Sequence, residues 1–436
     1  MKAKTIALAA GMLAAACVHA QGAPDPQNPA ASDPNLMGWM QGFPPAADKM
    51  VRFGDASFLQ FPRTRWSFSH MRELLPTANV WRGDATTHRF ASASLDIGAL
   101  QFTDDKGETI TWDDMLARSY TDAILVLHEG KIVYERYFGA GHPQLPHISF
   151  SVTKSMVGTL AATLAHEGVI DAAAPVTRYI PELKDTAYGD ATVRQVMDMT
   201  IGVKYSEDYA DPKSDIWSYA RAGGMLPSPP GYAGPKTLHA FLLGVKKEGN
   251  HGEAFAYKTI NTDVLGWILK RATGRSVATL LSERIWQKLG MENDSYFLVD
   301  TAGSEFGGGG LNLTLRDMAR FGEMMRLDGR FNEQQVIPKA VVDDIRRGGD
   351  RVKFAKAAYP DAPGYAAYSY RSMWWVSHEG NRAYDARGIH GQRIYIDPVA
   401  RMVVVKLSSH PVASNLQHLP LTDRAYRALA DHLTRK

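Results

Sequence analysis

Pro146-His147-Ile148-Ser149-Phe150-Ser151-Val152-Thr153-Lys154-Ser155-Met156-Val157-Gly158-Thr159-Leu160 is the stretch from which the rest of this chain is read. It reads as a loop running into an apolar helix, with Ser151 at the mouth and Lys154 one turn inside. Residues three apart share a helix face, so a serine Oγ and a lysine Nζ at this spacing can meet. A serine hydroxyl at its ordinary pKa is a poor nucleophile and needs an adjacent base. A lysine serves as that base only where burial or a neighbouring cation lowers its pKa. The N-terminal end of the helix adds unpaired N–H groups and a positive dipole, which favour an incipient oxyanion. Ser-x-x-Lys alone is weak, because a polar helix start with a solvated lysine has the same letters. Met156 to Leu164 argue against that reading: they are almost wholly small or apolar, which marks a buried helix and makes an idle lysine at its start costly.

Upstream, Ala123–His128 and Lys131–Tyr137 are two β-rich runs around Glu129-Gly130, a hairpin that leads into the Ser151 loop. Downstream, Gly168 stops the Ser151 helix. Arg194–Thr200 reads as a short helix, Ile201–Ser228 as a long loop, and Val264–Ala272 and Leu315–Leu327 as further helices. Strands return at Arg393–Ile396 and Arg401–Leu407 around the Asp397-Pro398 turn, and a closing helix spans about Thr422 to Leu433. Strands at both ends of a mostly helical middle predict an α+β domain. Its sheet is mainly antiparallel and flanked by helices, with an inserted helical region at about residues 160–300.

Met1–Ala20 carries Lys2 and Lys4, an apolar run, and Val18-His19-Ala20 before Gln21. That is the pattern of a secretory signal peptide, too short for a stable membrane span, and it predicts a periplasmic or secreted protein. The only cysteine, Cys17, follows Leu13-Ala14-Ala15-Ala16 and reads either as an ordinary signal residue or as a lipid-attachment site. Both readings leave the mature fold without disulfide or thiol chemistry. Residues 21–48, rich in Pro, Ala, Gly and Asp, read as a flexible leader, and 49–436 as the domain itself, with Trp66–Arg82 an arm packed across it. Cleavage removes two lysines and no acid, so the net charge of +3 falls to +1. A near-neutral surface offers no electrostatic case for nucleic acid or anionic membrane. His128-Glu129, His166-Glu167 and His378-Glu379 are each followed by glycine, and none continues to the second histidine of H-E-x-x-H, so no metal or other cofactor is expected. There is no G-x-S-x-G elbow and no phosphate-binding glycine loop; Gly307–Gly310 reads as a tight-packing connector.

Two further stretches supply candidate partners for Ser151. Tyr257, in Phe255-Ala-Tyr-Lys-Thr-Ile-Asn261, stands just ahead of a buried helix, where a phenol can relay a proton or simply fill core. Arg387-Gly-Ile-His-Gly-Gln392 precedes a strand, and its glycines allow backbone to approach a substrate closely. In this order the three stretches resemble the penicillin-recognising serine hydrolases: class C β-lactamases, DD-peptidases and related esterases. Gly308–Phe321 has the look of the same superfamily. Trp66–Thr77 and Glu207–Pro212 are similar to the branch that hydrolyses 6-aminohexanoate (nylon) oligomers. The resemblance implies a β-lactamase/transpeptidase-like fold. It makes Ser151 the nucleophile, Lys154 the base and Tyr257 the general acid/base, with the backbone N–H groups of Ser151 and Ile389 as oxyanion hole. It also implies that Tyr209, Trp375 and His390 contact substrate. Two positions depart from the pattern. Thr259 stands where Tyr-x-Asn has its asparagine, with Asn261 close by, and Ala386-Arg387-Gly388 replaces Lys-Thr-Gly. The expectation is therefore a secreted hydrolase of small esters or amides, as a monomer or homodimer. A cell-wall peptidase or lactamase is the enzymatic alternative, and a binder of cell-wall fragments the non-catalytic one.

Overall fold

The computed structural model describes residues 27–357, 365–414, 416 and 418–435. Residues 1–20, read as a signal peptide, lie outside them, and Cys17 with them. In chain order the strands that build the site are β1 (Thr77–Val80), β2 (Ala91–Ser92), β3 (Thr121–His128), β4 (Lys131–Tyr137), β5 (His147–Ile148), β6 (Ser295–Leu298) and β7 (Leu311–Leu313). They continue with β8 (Tyr368–Arg371), β9 (Trp374–Ser377), β10 (Tyr384–Gly388), β11 (Gln392–Asp397) and β12 (Met402–Ser408). The helices are α1 (Val152–His166), α2 (Val193–Met197), α3 (Asp215–Ala222), α4 (Ile260–Thr273), α5 (Leu315–Arg326) and α6 (Leu419–Thr434).

The expected hairpin is β3–β4, turned by Glu129 and Gly130, both at positive φ as a tight two-residue loop requires. It joins a sheet ordered β8-β9-β10-β11-β12-β3-β4-β2, antiparallel except where β2 meets β4. β3 is apolar almost throughout because both of its faces are covered. Leu125 and Leu127, with Val403 and Val405 of β12, join the core that contains Leu160 of α1 and Phe321 of α5. Ile124, Val126 and Val404 point the other way, into a cluster closed by Tyr426 and Leu429 of α6. A four-stranded antiparallel sheet, β1-β6-β7-β5, lies at the mouth of α1. This is the mixed helix and antiparallel-sheet architecture the sequence predicts.

Several expectations need correction. Ile201–Ser228 is not all loop: α3 runs through it, burying Ile216, Tyr219 and Ala222 at helical spacing. The helix expected from Val264 begins at Ile260, so Asn261 is inside it. Arg387–Gln392 precedes a strand as expected, β11, but its first two residues also end another, β10. Gln27–Asp48, read as flexible leader, packs against the body. Trp39 is buried between the cations of Lys49 and Arg63, and Arg65 donates to the Pro29 carbonyl. Among the described residues no helix is long and apolar enough to cross a membrane.

Candidate active site

α1 is apolar and short-side-chained because it is clamped on every side. A Cβ at Gly158 would collide with the Ser372 carbonyl oxygen, so α1 touches the β8–β9 turn backbone to backbone. Its polar residues are all employed: Thr153 Oγ1 accepts from Leu311 N–H at 3.1 Å, Ser155 donates to the Met373 carbonyl, and Trp374 donates to Thr159. Phe150, just before the serine, holds a positive φ of 44°, an uncommon backbone for a bulky residue. Its ring is fixed edge-on against Phe68 and beside His390, which is what keeps Ser151 at the helix mouth.

Lys154 Nζ lies 2.7 Å from Ser151 Oγ and also donates to the Gly308 carbonyl at 2.5 Å. The lysine is 1% exposed and the serine 8%, so this is no solvated helix start. Burial pulls Lys154 down to about 8, against the opposing pull of Glu207 and Asp263. Tyr257 presents its ring to Lys154, 5.2 Å from Nζ to the centroid, and stacks at 5.5 Å on Trp375, which is buried behind it. Ile389 follows the end of β10. β9 pairs with β10 only as far as Asp385, so among the described residues no strand covers Ala386–Gly388 on that side. A Cβ at Gly388 would collide with the Ser149 carbonyl oxygen. The strand end that leads into Ile389 and the turn that leads into Ser151 are therefore pressed together.

The remaining candidates fall out differently. Tyr209 donates to Glu207 at 3.2 Å and stands edge-on to Trp217, on the loop wall before α3. His390 joins the turn but is turned inward. Its Nδ1 lies 2.6 Å from the His410 carbonyl, its ring packs on Phe68, and burial pulls it down to about 4. Thr259 is explained by Glu207, which accepts from Thr259 N–H at 2.7 Å and from its hydroxyl at 2.5 Å. Asn261 does not substitute for the missing asparagine: it is fully buried and accepts from Tyr188 at 2.9 Å. Arg387 bonds Asp385 at 2.8 Å and lies among the rings of Tyr365, Tyr368 and Trp375, while Ala386 faces the core.

Two carboxylates escaped the sequence reading. Glu207 ties the Tyr209 loop to the start of α4. Asp263, buried on α4, accepts from Tyr219 Oη and from Gly308 N–H at 3.3 Å, and burial pushes it up to about 7. It thus holds by its N–H the same residue whose carbonyl holds Lys154. Gly308 is glycine because a Cβ would collide with Thr259 and Tyr219. An acid on the buried face of a helix start was the only available signal for Asp263. Among the described residues no cluster of His, Cys, Asp and Glu suits a metal ion.

A buried Ser–Lys pair at the mouth of a helix, beside an open strand end and under a tyrosine, is the arrangement of a serine hydrolase with the β-lactamase/transpeptidase fold. The beta-lactamase family profile matches residues 114–426, and the chain belongs to that family. It is 36% identical over 355 residues to the 6-aminohexanoate-dimer hydrolase of Paenarthrobacter ureafaciens, covering 81% of this chain and 88% of that one. A solved Bacillus anthracis structure, provisionally assigned as a 6-aminohexanoate-dimer hydrolase, superposes with a TM-score of 0.79 at 33% identity, over 87% of this chain and 96% of that one. A family VIII carboxylesterase shares the fold at 17% identity and a TM-score of 0.53, over 72% of this chain and 96% of that one.

Proposed function

We propose that the protein is an exported hydrolase of small linear amides and esters, of the 6-aminohexanoate-oligomer kind, working through an acyl-enzyme on Ser151. The observation that carries this is the 2.7 Å contact between Ser151 Oγ and a lysine buried enough to be a base near neutral pH. Ser151 Oγ attacks the carbonyl carbon while Lys154 Nζ takes its proton. The N–H groups of Ser151 and Ile389 hold the oxyanion. The tetrahedral adduct collapses, the C–N or C–O bond breaks, and Tyr257 returns a proton to the leaving group. Water then attacks the ester, its proton passing back through the same residues. Tyr209 and the Tyr257–Trp375 stack line the walls against which an alkyl chain lies. The similarity to two 6-aminohexanoate-dimer hydrolases supports that substrate class over cell-wall peptides. The test is fluorophosphonate labelling of Ser151 with steady-state rates on 6-aminohexanoate dimer and p-nitrophenyl acetate; absence of labelling and of turnover on both refutes the reading.

The base must be neutral, so protonation of Lys154 inactivates. kcat/KM is expected to rise with pH, about tenfold per unit at the acid end, and to level off above about 8. Asp263 raises the lysine's pKa. Asp263→Asn removes that charge, so the rising limb is expected to move to lower pH, read from the pH–rate profile. Dialysis against a strong chelator is expected to leave the rate unchanged. Loss restored by added zinc would contradict the mechanism.

A further inference from the structure

A small cavity, open on one side, lies on the far side of the β11–β12 pair from the Ser–Lys site, between the strands and the start of α6. Its inner volume is about 20 Å³, and its lining includes Lys406, Arg393, His418, Thr422 and Tyr426. Lys406, on β12 beside Arg393 of β11, is only 2% exposed. Its ammonium donates to Ser408 Oγ and, at 3.3 Å, to the Gly391 carbonyl. No described carboxylate lies within ion-pair distance of it. Arg393 cannot share one, since its partners Asp385 at 2.5 Å and Asp423 at 2.6 Å are already matched by Arg393 and Arg387. Asp122 is likewise engaged, by Arg65 and His147. A buried cation lacking a countercharge is costly. Burial pulls Lys406 down to about 7, and the more distant charge of Asp122 offsets this only in part.

The other lining groups point to the missing partner. Among the described residues, His418 Nε2 and Tyr426 Oη are buried without hydrogen-bond partners, in residues 8% and 0% exposed. His418 is also the N-cap of α6, a 16-residue helix whose positive end no described side chain caps. No carboxylate among the described residues lines the cavity. Ammonium, phenol and helix terminus are donors, suited to an anion rather than to a cation. The inner free volume, about that of one water molecule, suits a single-atom ion better than sulfate, phosphate or a carboxylate.

We propose that this cavity is a halide site, binding one chloride ion between Lys406 Nζ, Tyr426 Oη and the N-terminus of α6, beside the His418 ring. The ion supplies the countercharge that Lys406 lacks and ties β12 to α6. Because Lys406 also holds Gly391, it steadies the turn that begins at Ile389.

Crystals of the full chain soaked in sodium bromide, measured at the bromine edge, are expected to show an anomalous peak between Lys406 and His418. An ordered water with no anomalous signal there overturns the proposal. In solution, Tm is expected to rise by a few degrees and saturate with sodium chloride, but not with sodium gluconate of equal ionic strength. Lys406→Met is expected to abolish that difference. Should it fail to fold, Tyr426→Phe, which removes one hydroxyl and keeps the ring, is expected to move the half-saturation point to higher chloride. Equal responses to chloride and gluconate, or a chloride response undiminished in both variants, also overturn the proposal.

Discussion

Ser151→Ala is expected to abolish turnover of esters and amides and all covalent labelling, with the folded state retained. The hydroxyl is the only atom lost. Its partner among the described residues, Lys154 Nζ, keeps the Gly308 carbonyl, so an unchanged circular-dichroism spectrum and melting curve should accompany the loss. Lys154→Ala is expected to lower kcat/KM by more than about two orders of magnitude, the usual scale of general-base catalysis. The two variants differ in a further respect. Lys154→Ala leaves a void beside Gly308 and Tyr257 and should also lower Tm, since a large buried side chain is removed. Wild-type turnover in a folded Ser151→Ala protein would end the mechanism.

Penicillins and cephalosporins are expected to be poor substrates, with nitrocefin slower than both p-nitrophenyl acetate and the 6-aminohexanoate dimer. A β-lactam brings a carboxylate that Lys and a hydroxyl residue on this strand hold in the lactamases that the sequence resembles. Here Ala386 has no donor and is turned to the core. Arg387 carries the charge, but its guanidinium is bonded to Asp385 and enclosed by three aromatic rings, with the side chain only 5% exposed. Each charge-assisted hydrogen bond is worth about 1.5–3 kcal/mol, so losing two lowers kcat/KM for a β-lactam by at least about a hundredfold. An ester or linear amide never used those contacts. Nitrocefin proving the best of the three substrates would mean that Arg387 leaves its cage, and would favour the lactamase reading.

What the sequence made legible was local. The Ser151–Lys154 spacing, the hairpin around Glu129-Gly130 and the late strands depend on neighbours within a few residues, and all three appear in the structure. α3 was hidden because it is only eight residues long, and the unburied Trp217 and Ala220 between Ile216, Tyr219 and Ala222 blur its apolar face. Glu207 and Asp263 were hidden for another reason. Their meaning comes from Thr259 and Gly308, tens of residues away, and no periodicity reports such contacts. The packing of Trp39 beneath Lys49 and Arg63 is the same kind of omission: composition favoured a free leader, and one buried aromatic outweighs it.

The central position of β3 bears on how the chain must fold. One neighbour, β4, is made at once across a two-residue turn, but the other, β12, arrives only near the end of the sequence. Ser409 meets Asp122 across 287 residues. Until that pairing forms, β3 is a bare, apolar strand edge of the sort that recruits other chains. The slow step of folding is thus the closing of a long loop, and a chain stopped before Met402 should collect in aggregates rather than as a smaller enzyme.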